Sequence, residues 1–304
     1  MWMQLSTPTT RSASIIMFIA ASMWGLYWLP LRSLEDMGVD GGWAIALLNF
    51  PAAIVLAAFV IWSWREHRGY VGRAIVIGIF TGAGLALYGS GLVLSSVVRA
   101  TLLFYLVPVW ATLIGLIWLG EKANWQRWAA IVVGLIGLVL LVSGGGSVPL
   151  NIGDLFAILS GMFWAVGAAL IVKHADVPVP GMVMVQFVVT GTGALALAAL
   201  AGTGGFALPE ASALEAALPT ATVISVVIFL PAVAVIFWVQ KFLFPGRAGL
   251  LMMSEVLMAV ISASLLIPEE RMSTVEWTGA ALIISACLIE VLLTPQQDPN
   301  AVKA

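Results

Sequence analysis

Charged side chains are scarce in this sequence. Asp, Glu, Lys and Arg together fill 9% of its 304 positions, where a soluble domain carries roughly a quarter. So few charges cannot give a globule of this size a wetted surface, which points to lipid rather than water as the solvent. Cysteine is rarer still: the one thiol, Cys287, cannot form an intrachain disulfide, and its place inside an apolar run marks it as a small packed hydrophobe. The two histidines, His67 and His174, stand far apart in short polar stretches. They are too few for a metal site, and both are expected in loops. No Walker-type glycine loop is present, which argues against direct nucleotide-driven pumping. The apolar runs also lack a His-Glu-x-x-His, a Ser/His pair or clustered aspartates, so a membrane-embedded enzyme is disfavoured. No cofactor and no nucleic-acid partner are expected.

What the sequence has is length of apolar run. Apolar residues make up 62% of the chain, and a membrane-spanning helix needs roughly 20 of them in succession. Such runs fall at 14–33, 42–64, 72–95, 99–119 and 125–143, then at 153–173, 180–201, 219–241, 247–267 and 274–294. They are too long for strands and do not alternate. In lipid each backbone N–H and C=O must be satisfied internally, and a helix does this within one segment. The expectation is an all-α integral membrane protein with ten transmembrane helices. The longest connections, Ser143–Asn151 and Gly202–Leu218, are too short for a soluble catalytic domain. Arg11 and Ala20-Ala21-Ser22 resemble parts of a removable leader, but the run continues to Leu31 and a similar segment recurs in the second half, so it is read as the first spanning helix.

The few charges that exist are unevenly placed. With the N-terminus in the cytoplasm, Arg11, Arg65, Arg68, Arg73, Lys122, Arg127, Lys173, Lys241, Arg247 and Lys303 fall inside, against Arg32, Arg99 and Arg271 outside. Cytoplasmic loops carry such an excess of Lys and Arg. Glu35, Asp36, Asp40, Glu210, Glu215, Glu269 and Glu270 collect outside. Trp43, Trp62, Trp64, Trp118, Trp125 and Trp277 lie near helix ends, where indoles anchor at the interface.

The halves also resemble each other. Ser22-Met23-Trp24-Gly25 in the first run parallels Gly161-Met162-Phe163-Trp164 in the sixth. Arg99-Ala100-Thr101-Leu102-Leu103 parallels Arg247-Ala248-Gly249-Leu250-Leu251, Gly120-Glu121-Lys122 answers Glu269-Glu270-Arg271, and Trp128 answers Trp277. Each half holds five spans, an odd number, so the second enters the membrane from the opposite side. Residues 1–147 and 148–304 are thus expected to form two inverted five-helix repeats, a pattern of secondary transporters with the site between the halves. A scaffold or receptor has no need of it.

With these features the chain resembles the EamA-type members of the drug/metabolite transporter superfamily over about residues 14–294. The strongest local likeness is Leu103-Phe104-Tyr105-Leu106-Val107-Pro108-Val109-Trp110, running on to Leu119-Gly120-Glu121-Lys122. Gly134 and Gly137 follow, with Trp24-Gly25 in the first helix and Gly153-Asp154 opening the sixth. The sequence departs from the family in the ninth helix. It keeps Glu255 but has Val256 where proline is usual, and it reads Pro268-Glu269-Glu270 in place of Gly-Glu. The resemblance implies alternating access, often export, of small organic solutes such as amino acids, metabolites or drug-like compounds. It also implies a bacterial inner membrane as the setting, and it leaves a homodimer open.

Glu255 is the first candidate for the chemistry. It lies about a third of the way into the ninth run, where a charge costs at least about 3 kcal/mol on insertion scales. A carboxyl there faces a cavity or a partner, and reversible protonation suits it. The competing role is helix glue through Ser254 or Ser262. Trp24, Tyr27 and Trp28 share one helix face by their spacing. Tyr88 lies between Gly84 and Gly91, Tyr105 precedes Pro108, and Trp164 is the repeat mate of Trp24. Together Trp24, Tyr27, Tyr88, Tyr105, Trp164 and Glu255 form the candidate substrate site, suited to a solute with an apolar or aromatic portion. Arg32 and Arg99 are expected to snorkel outward, Glu290 to reach the cytoplasmic interface, and Glu121 with Lys122 to form a loop pair. Pro30, Pro51, Pro108 and Pro231 are expected to kink their helices, and Gly78 with Gly82 to allow close helix packing. Reporter fusions after Lys303 and within residues 203–217 test the topology. A cytoplasmic C-terminus and a periplasmic 203–217 segment are expected, and the opposite result at either point refutes the ten-span assignment.

Overall fold

The computed structural model describes residues 8–95, 97–141, 151–200, 207–266, 272–295, 297 and 299. Lys303, the Glu269-Glu270-Arg271 parallel and most of the Ser143–Asn151 connection lie outside the described residues, as does the side chain of Arg99.

Every apolar run folds as helix, and four of them are interrupted. The first run forms α1 (Thr10–Trp24) and α2 (Trp28–Asp36), the second α3 (Gly41–Trp62) with a short α4 (Trp64–His67), and the third α5 (Val71–Leu94). The fourth divides into α6 (Val97–Phe104) and α7 (Val107–Trp118), and the fifth is α8 (Trp125–Leu141). In the second half come α9 (Ile152–Lys173) and α10 (Val179–Leu200), then α11 (Ala211–Val223) and α12 (Leu230–Gln240) joined through a π-helical turn at Ile224–Phe229. The ninth run divides into α13 (Pro245–Leu251) and α14 (Ser254–Leu266), and α15 (Thr274–Leu292) closes the chain. Among the described residues eight helical stretches are long and apolar enough to cross a membrane. Two further apolar helices, Val107–Trp118 and Trp125–Leu141, are shorter. The interruption of the ninth run needs no proline: Met253 and Glu255 turn back to the carbonyls of Leu250 and Met252 over three residues, tighter than an α-helical turn.

Small residues set the packing. A Cβ at Gly78 would sit 2.4 Å from Val185 Cβ, and one at Gly82 2.7 Å from Val189 Cβ, so α5 lies directly on α10. A Cβ at Gly84 would lie 3.1 Å from the Trp164 backbone nitrogen and one at Gly91 3.2 Å from the Gly153 carbonyl oxygen, so α5 also runs close to the backbone of α9. Pro51 breaks the ladder of α3, and the neighbouring Ala52 N–H donates to the hydroxyl of Ser225 in the π turn at 3.0 Å. A side chain from another helix thereby satisfies backbone disturbed by a proline inside the bundle.

Three sequence expectations are corrected at the end where α7, α9 and α12 terminate. Glu290 does not reach an interface. It is fully buried and bridges Arg127 (Nε–Oε2, 3.0 Å) and Arg247 (Nε–Oε1, 2.8 Å), while Thr294 donates to it at 3.1 Å. Glu121 does not pair with Lys122. A left-handed turn at Gly120 (φ 67°) returns the Glu121 N–H to the Gly115 carbonyl, and the carboxyl, buried beneath α7, binds Arg127. A Cβ at Gly115 would fall 1.9 Å from Glu121 Oε2, so that position has no room for a side chain. Lys122 is held instead through its backbone by Gln297. Arg127 and Arg247, counted above among loop cations, are buried members of a neutral set of two arginines and two glutamates. The physical reason is mutual: each charge near the end of an apolar helix finds its partner on another helix, a relation a linear reading does not contain.

Around this set the same end carries weaker links. Arg73 pairs with Asp176 at 2.8 Å, Lys173 lies 4.4 Å from the centre of the Trp118 ring, and Lys241 donates to the Val177 carbonyl. Burial pushes the Lys241 ammonium down to about 8. His67, expected in a loop, is buried on α4 against Phe59 and Ser63, because its ring packs where the chain turns into α5. Removing one partner of a buried pair strands the other charge, so Glu290→Leu is expected to cost about 3–5 kcal/mol. Loss of the half-exposed Arg73–Asp176 pair through Asp176→Asn is expected to cost no more than about 1 kcal/mol. Thermal unfolding in detergent checks both; a Glu290→Leu protein as stable as Asp176→Asn refutes the structural role of the buried set.

Candidate functional site

The interruptions of the first, fourth and ninth runs meet near the centre of the molecule, around a small cavity of about 20 Å³. That is room for about one water molecule. The first five runs contribute Trp24, the last residue of α1, Leu85 and Tyr88 from α5, and Phe104, the last residue of α6. The second five contribute Trp164 from α9, Val233 and Ile236 from α12, Met252 at the break, and Glu255 from the first turn of α14. Among these nine described lining residues Glu255 alone carries a charge.

Local structure explains each placement. Gly25 follows α1, and a Cβ there would lie 2.2 Å from the Glu255 carbonyl oxygen and 2.9 Å from Met258 Cβ, so α1 rests on the backbone that carries Glu255. Trp24 stacks on Tyr27 with ring centres 5.0 Å apart and planes at 14°. The π turn brings Phe229 within 5.1 Å of Trp24 and 5.0 Å of Tyr27. Tyr88 lies 4.4 Å from Phe104, and its hydroxyl is 3.5 Å from Thr101. An acid in the first turn of α14 is favoured by the partial positive charge of the helix start.

Of the six residues expected from the sequence, Trp24, Tyr88, Trp164 and Glu255 line the cavity together. Tyr105 stands at the α6–α7 break beside the Glu255 carboxyl; it is buried, and its hydroxyl forms no hydrogen bond of good geometry. Tyr27 supports Trp24 rather than facing the cavity. The Trp164 indole N–H is also buried without a partner. Neither serine proposed as a partner for Glu255 serves as one. Ser254 donates to the Phe18 carbonyl at 2.9 Å, and Ser262 accepts from Trp28 Nε1 at 3.0 Å while donating to Ala259. Sequence reasoning missed Leu85, Phe104, Val233, Ile236, Met252 and the supporting Phe229. Phe104 stood beside Tyr105 in the strongest motif and was within reach. The aliphatic residues carry no signal that separates them from their neighbours in an apolar run. Among the described residues no cluster of His, Cys, Asp and Glu is fit to hold a metal.

A bundle of apolar helices interrupted around a central cavity, with an acid in its wall, defines a multi-pass membrane transporter class. The model of the EamA-like transporter family matches residues 11–143 and 151–292, and the chain belongs to that family. Its two matched stretches are the two repeats of the fold. The chain is 30% identical over 97 residues to an S-adenosylmethionine uptake transporter of Rickettsia prowazekii (strain Madrid E), covering 31% of this chain and 32% of that protein. A protein of the same name from Rickettsia felis (strain ATCC VR-1525 / URRWXCal2) is 32% identical over 95 residues, 30% of this chain and 32% of the relative. The match thus spans about a third of the length of these relatives. A solved crystal structure superposes over 93% of this chain and 97% of its own with a TM-score of 0.70 at 22% identity, a likeness of fold.

A Cβ at residue 25 has nowhere to go, since the obstructing atom belongs to backbone rather than to a flexible side chain. Gly25→Ala is therefore expected to push α14 away and abolish solute flux in proteoliposomes, while Gly72→Ala, whose Cβ would meet nothing within 4 Å, leaves flux unchanged. Parent-like flux for Gly25→Ala contradicts the close approach of α1 to Glu255.

Proposed function

We propose that the protein is a secondary active transporter that moves a small organic solute through its central cavity by alternating access, with Glu255 exchanging a proton for the solute. One observation carries the reading. The Glu255 carboxyl lies in an aromatic-walled cavity contributed by both halves, with no ion-pair partner among the described residues. A membrane-embedded acid held in this way marks a substrate or proton pathway. The interruptions support it further. The fourth and ninth runs break at related places, after Phe104 and after Leu251, so each half supplies a discontinuous helix to the centre, as in transporters built from inverted repeats.

On this reading ten spans form two inverted repeats, residues 1–147 and 148–304, in a bacterial inner membrane with both termini cytoplasmic. The solute is an amino acid, metabolite or drug-like compound. The Rickettsia relatives are named for uptake of S-adenosylmethionine, and the match covers too little of them to carry that substrate over whole. Family resemblance favours export where the relatives' name favours uptake, and flux measured in both directions separates the two.

Coupling requires that the two protonation states of Glu255 bias the inward- and outward-open forms differently, since only a difference between states shifts an equilibrium. Glu255→Gln keeps the shape and fixes the neutral form. It is expected to insert normally and lose pH-gradient-driven flux in proteoliposomes, while solute exchange persists and Glu255→Asp retains part of the activity. Full pH-dependent flux in the Gln variant, normalised to inserted protein, removes Glu255 from the coupling mechanism. Trp24→Ala and Trp164→Ala should reduce flux more than Trp62→Ala, whose indole is 83% exposed on the outside of the bundle.

A further inference from the structure

The walls of the cavity carry a charge preference that the transport reading leaves open. Glu255 is the acid in the wall, and no base faces it among the described residues. Arg127 and Arg247 are committed to Glu121 and Glu290, Arg73 to Asp176, Lys173 to the Trp118 ring, and Lys241 to the Val177 carbonyl. Arg11, Arg32, Arg65, Arg68 and Lys122 are exposed near helix ends. The rest of the lining is aromatic or aliphatic: Trp24, Tyr88, Phe104 and Trp164 bring four π-systems to the same small cavity as Glu255. A ring face is electrostatically negative at its centre and attracts a cation placed over it. An anion would meet a carboxylate in a wall rich in aromatic rings. A neutral solute would leave the acid without a counter-charge when it ionises.

From this we infer that the transported solute is an organic cation. Its positive centre, a sulfonium or a substituted ammonium, lies against Glu255, and a flat apolar group packs on Trp24 and Trp164. The inference deepens the transport reading and rests on it. The buried Trp164 indole N–H, a lining group without a partner, supplies a donor for an acceptor atom elsewhere on the same solute, which adds discrimination because an unmet buried donor is costly. The cavity of about 20 Å³ is far smaller than such a solute, so its walls separate on binding. The lining offers a means. Trp24 ends α1, Phe104 ends α6 and Met252 lies in the break before α14. Each is therefore mounted where a helix is interrupted and the backbone can turn with little loss of helical hydrogen bonding.

The test is equilibrium binding to the full chain in lipid nanodiscs. Tetraphenylphosphonium and S-adenosylmethionine serve as charged probes. S-adenosylhomocysteine, which lacks one methyl group and the sulfonium charge, is the neutral counterpart. Saturable binding of a charged probe is expected, with S-adenosylmethionine bound at least roughly tenfold tighter than S-adenosylhomocysteine. Glu255→Gln should weaken both cations by about tenfold or more and erase the charged-to-neutral difference, while Trp62→Phe leaves it intact. Equal affinity for the two adenosyl compounds, parent-like cation binding in Glu255→Gln, or no saturable binding of either cation overturns the inference. The transport reading fails separately. Cation binding without flux across proteoliposomes would remove transport and keep cation recognition, whereas flux confined to neutral or anionic solutes would keep transport and remove the cation.

Discussion

Inside a bilayer a polar group has no water to fall back on, so each one must be met by the protein or left unmet for a purpose. The buried set of Glu121, Arg127, Arg247 and Glu290 shows the first outcome. Two positive and two negative side chains cancel, Arg247 donates further to the carbonyls of Glu290 and Thr294, and the Thr294 hydroxyl donates to the Glu290 carboxyl. Such a set stabilises less than its Coulomb attraction suggests, because all four groups have lost their hydration. It does determine which helices lie together. The set requires α8, α13, α15 and the turn after α7 to arrive at one place, and the left-handed Gly120 and the bare Gly115 make that arrival sterically feasible. The Asn151 and Ser273 capping boxes and the Ser225 hydroxyl under Pro51 answer the same demand on the backbone.

Glu255 shows the second outcome. Among the described residues it has no ion-pair partner, and helix breaks and a π turn cluster around it. α1, α6 and α13 all stop beside it, and the π turn before α12 pushes Phe229 toward Trp24. Helix interruptions expose backbone groups and are tolerated within a membrane where they line a cavity or are buried in protein. Here they coincide with that acid and with aromatic side chains lining one cavity, the place on which the proposed transport reading is centred. The closed set of charges lies toward one end of the same discontinuous ninth segment, with Arg247 on α13 and Glu255 on α14. The break at Met252–Met253 thus separates a half anchored by ion pairs from a half that presents the acid.

Much of the fold was legible because lipid imposes it uniformly. Ten apolar runs were readable as helices from composition alone, and the Trp24-Gly25 and Gly120-Glu121 pairs were recognisable as motifs. The candidate site was legible where a residue was chemically out of place. A carboxyl in the ninth run and aromatic residues deep within runs stand out against Leu, Val and Ala, and four of the six chosen this way share one cavity. Val233, Ile236 and Met252 could not be found so, being apolar residues among apolar residues. Glu290 and Glu121 were misplaced for a different reason. Each lies near a run's end, where a single chain suggests water, while the partner that keeps it dry is distant in sequence: 163 residues separate Arg127 from Glu290.

The sequence by itself determined the solvent, the helical class, the family and the isolation of one acid among apolar neighbours, since these follow from local composition and from the requirement that backbone in lipid bond to itself. Tertiary structure alone decided which charges are neutralised and which is left open, where each helix stops, and which side chains face one another. Those outcomes depend on the meeting of segments from opposite halves of the chain. Gly25 against the carbonyl of Glu255 and Arg247 against the carboxyl of Glu290 are contacts of close approach, and close approach is a property of packing that no single segment carries.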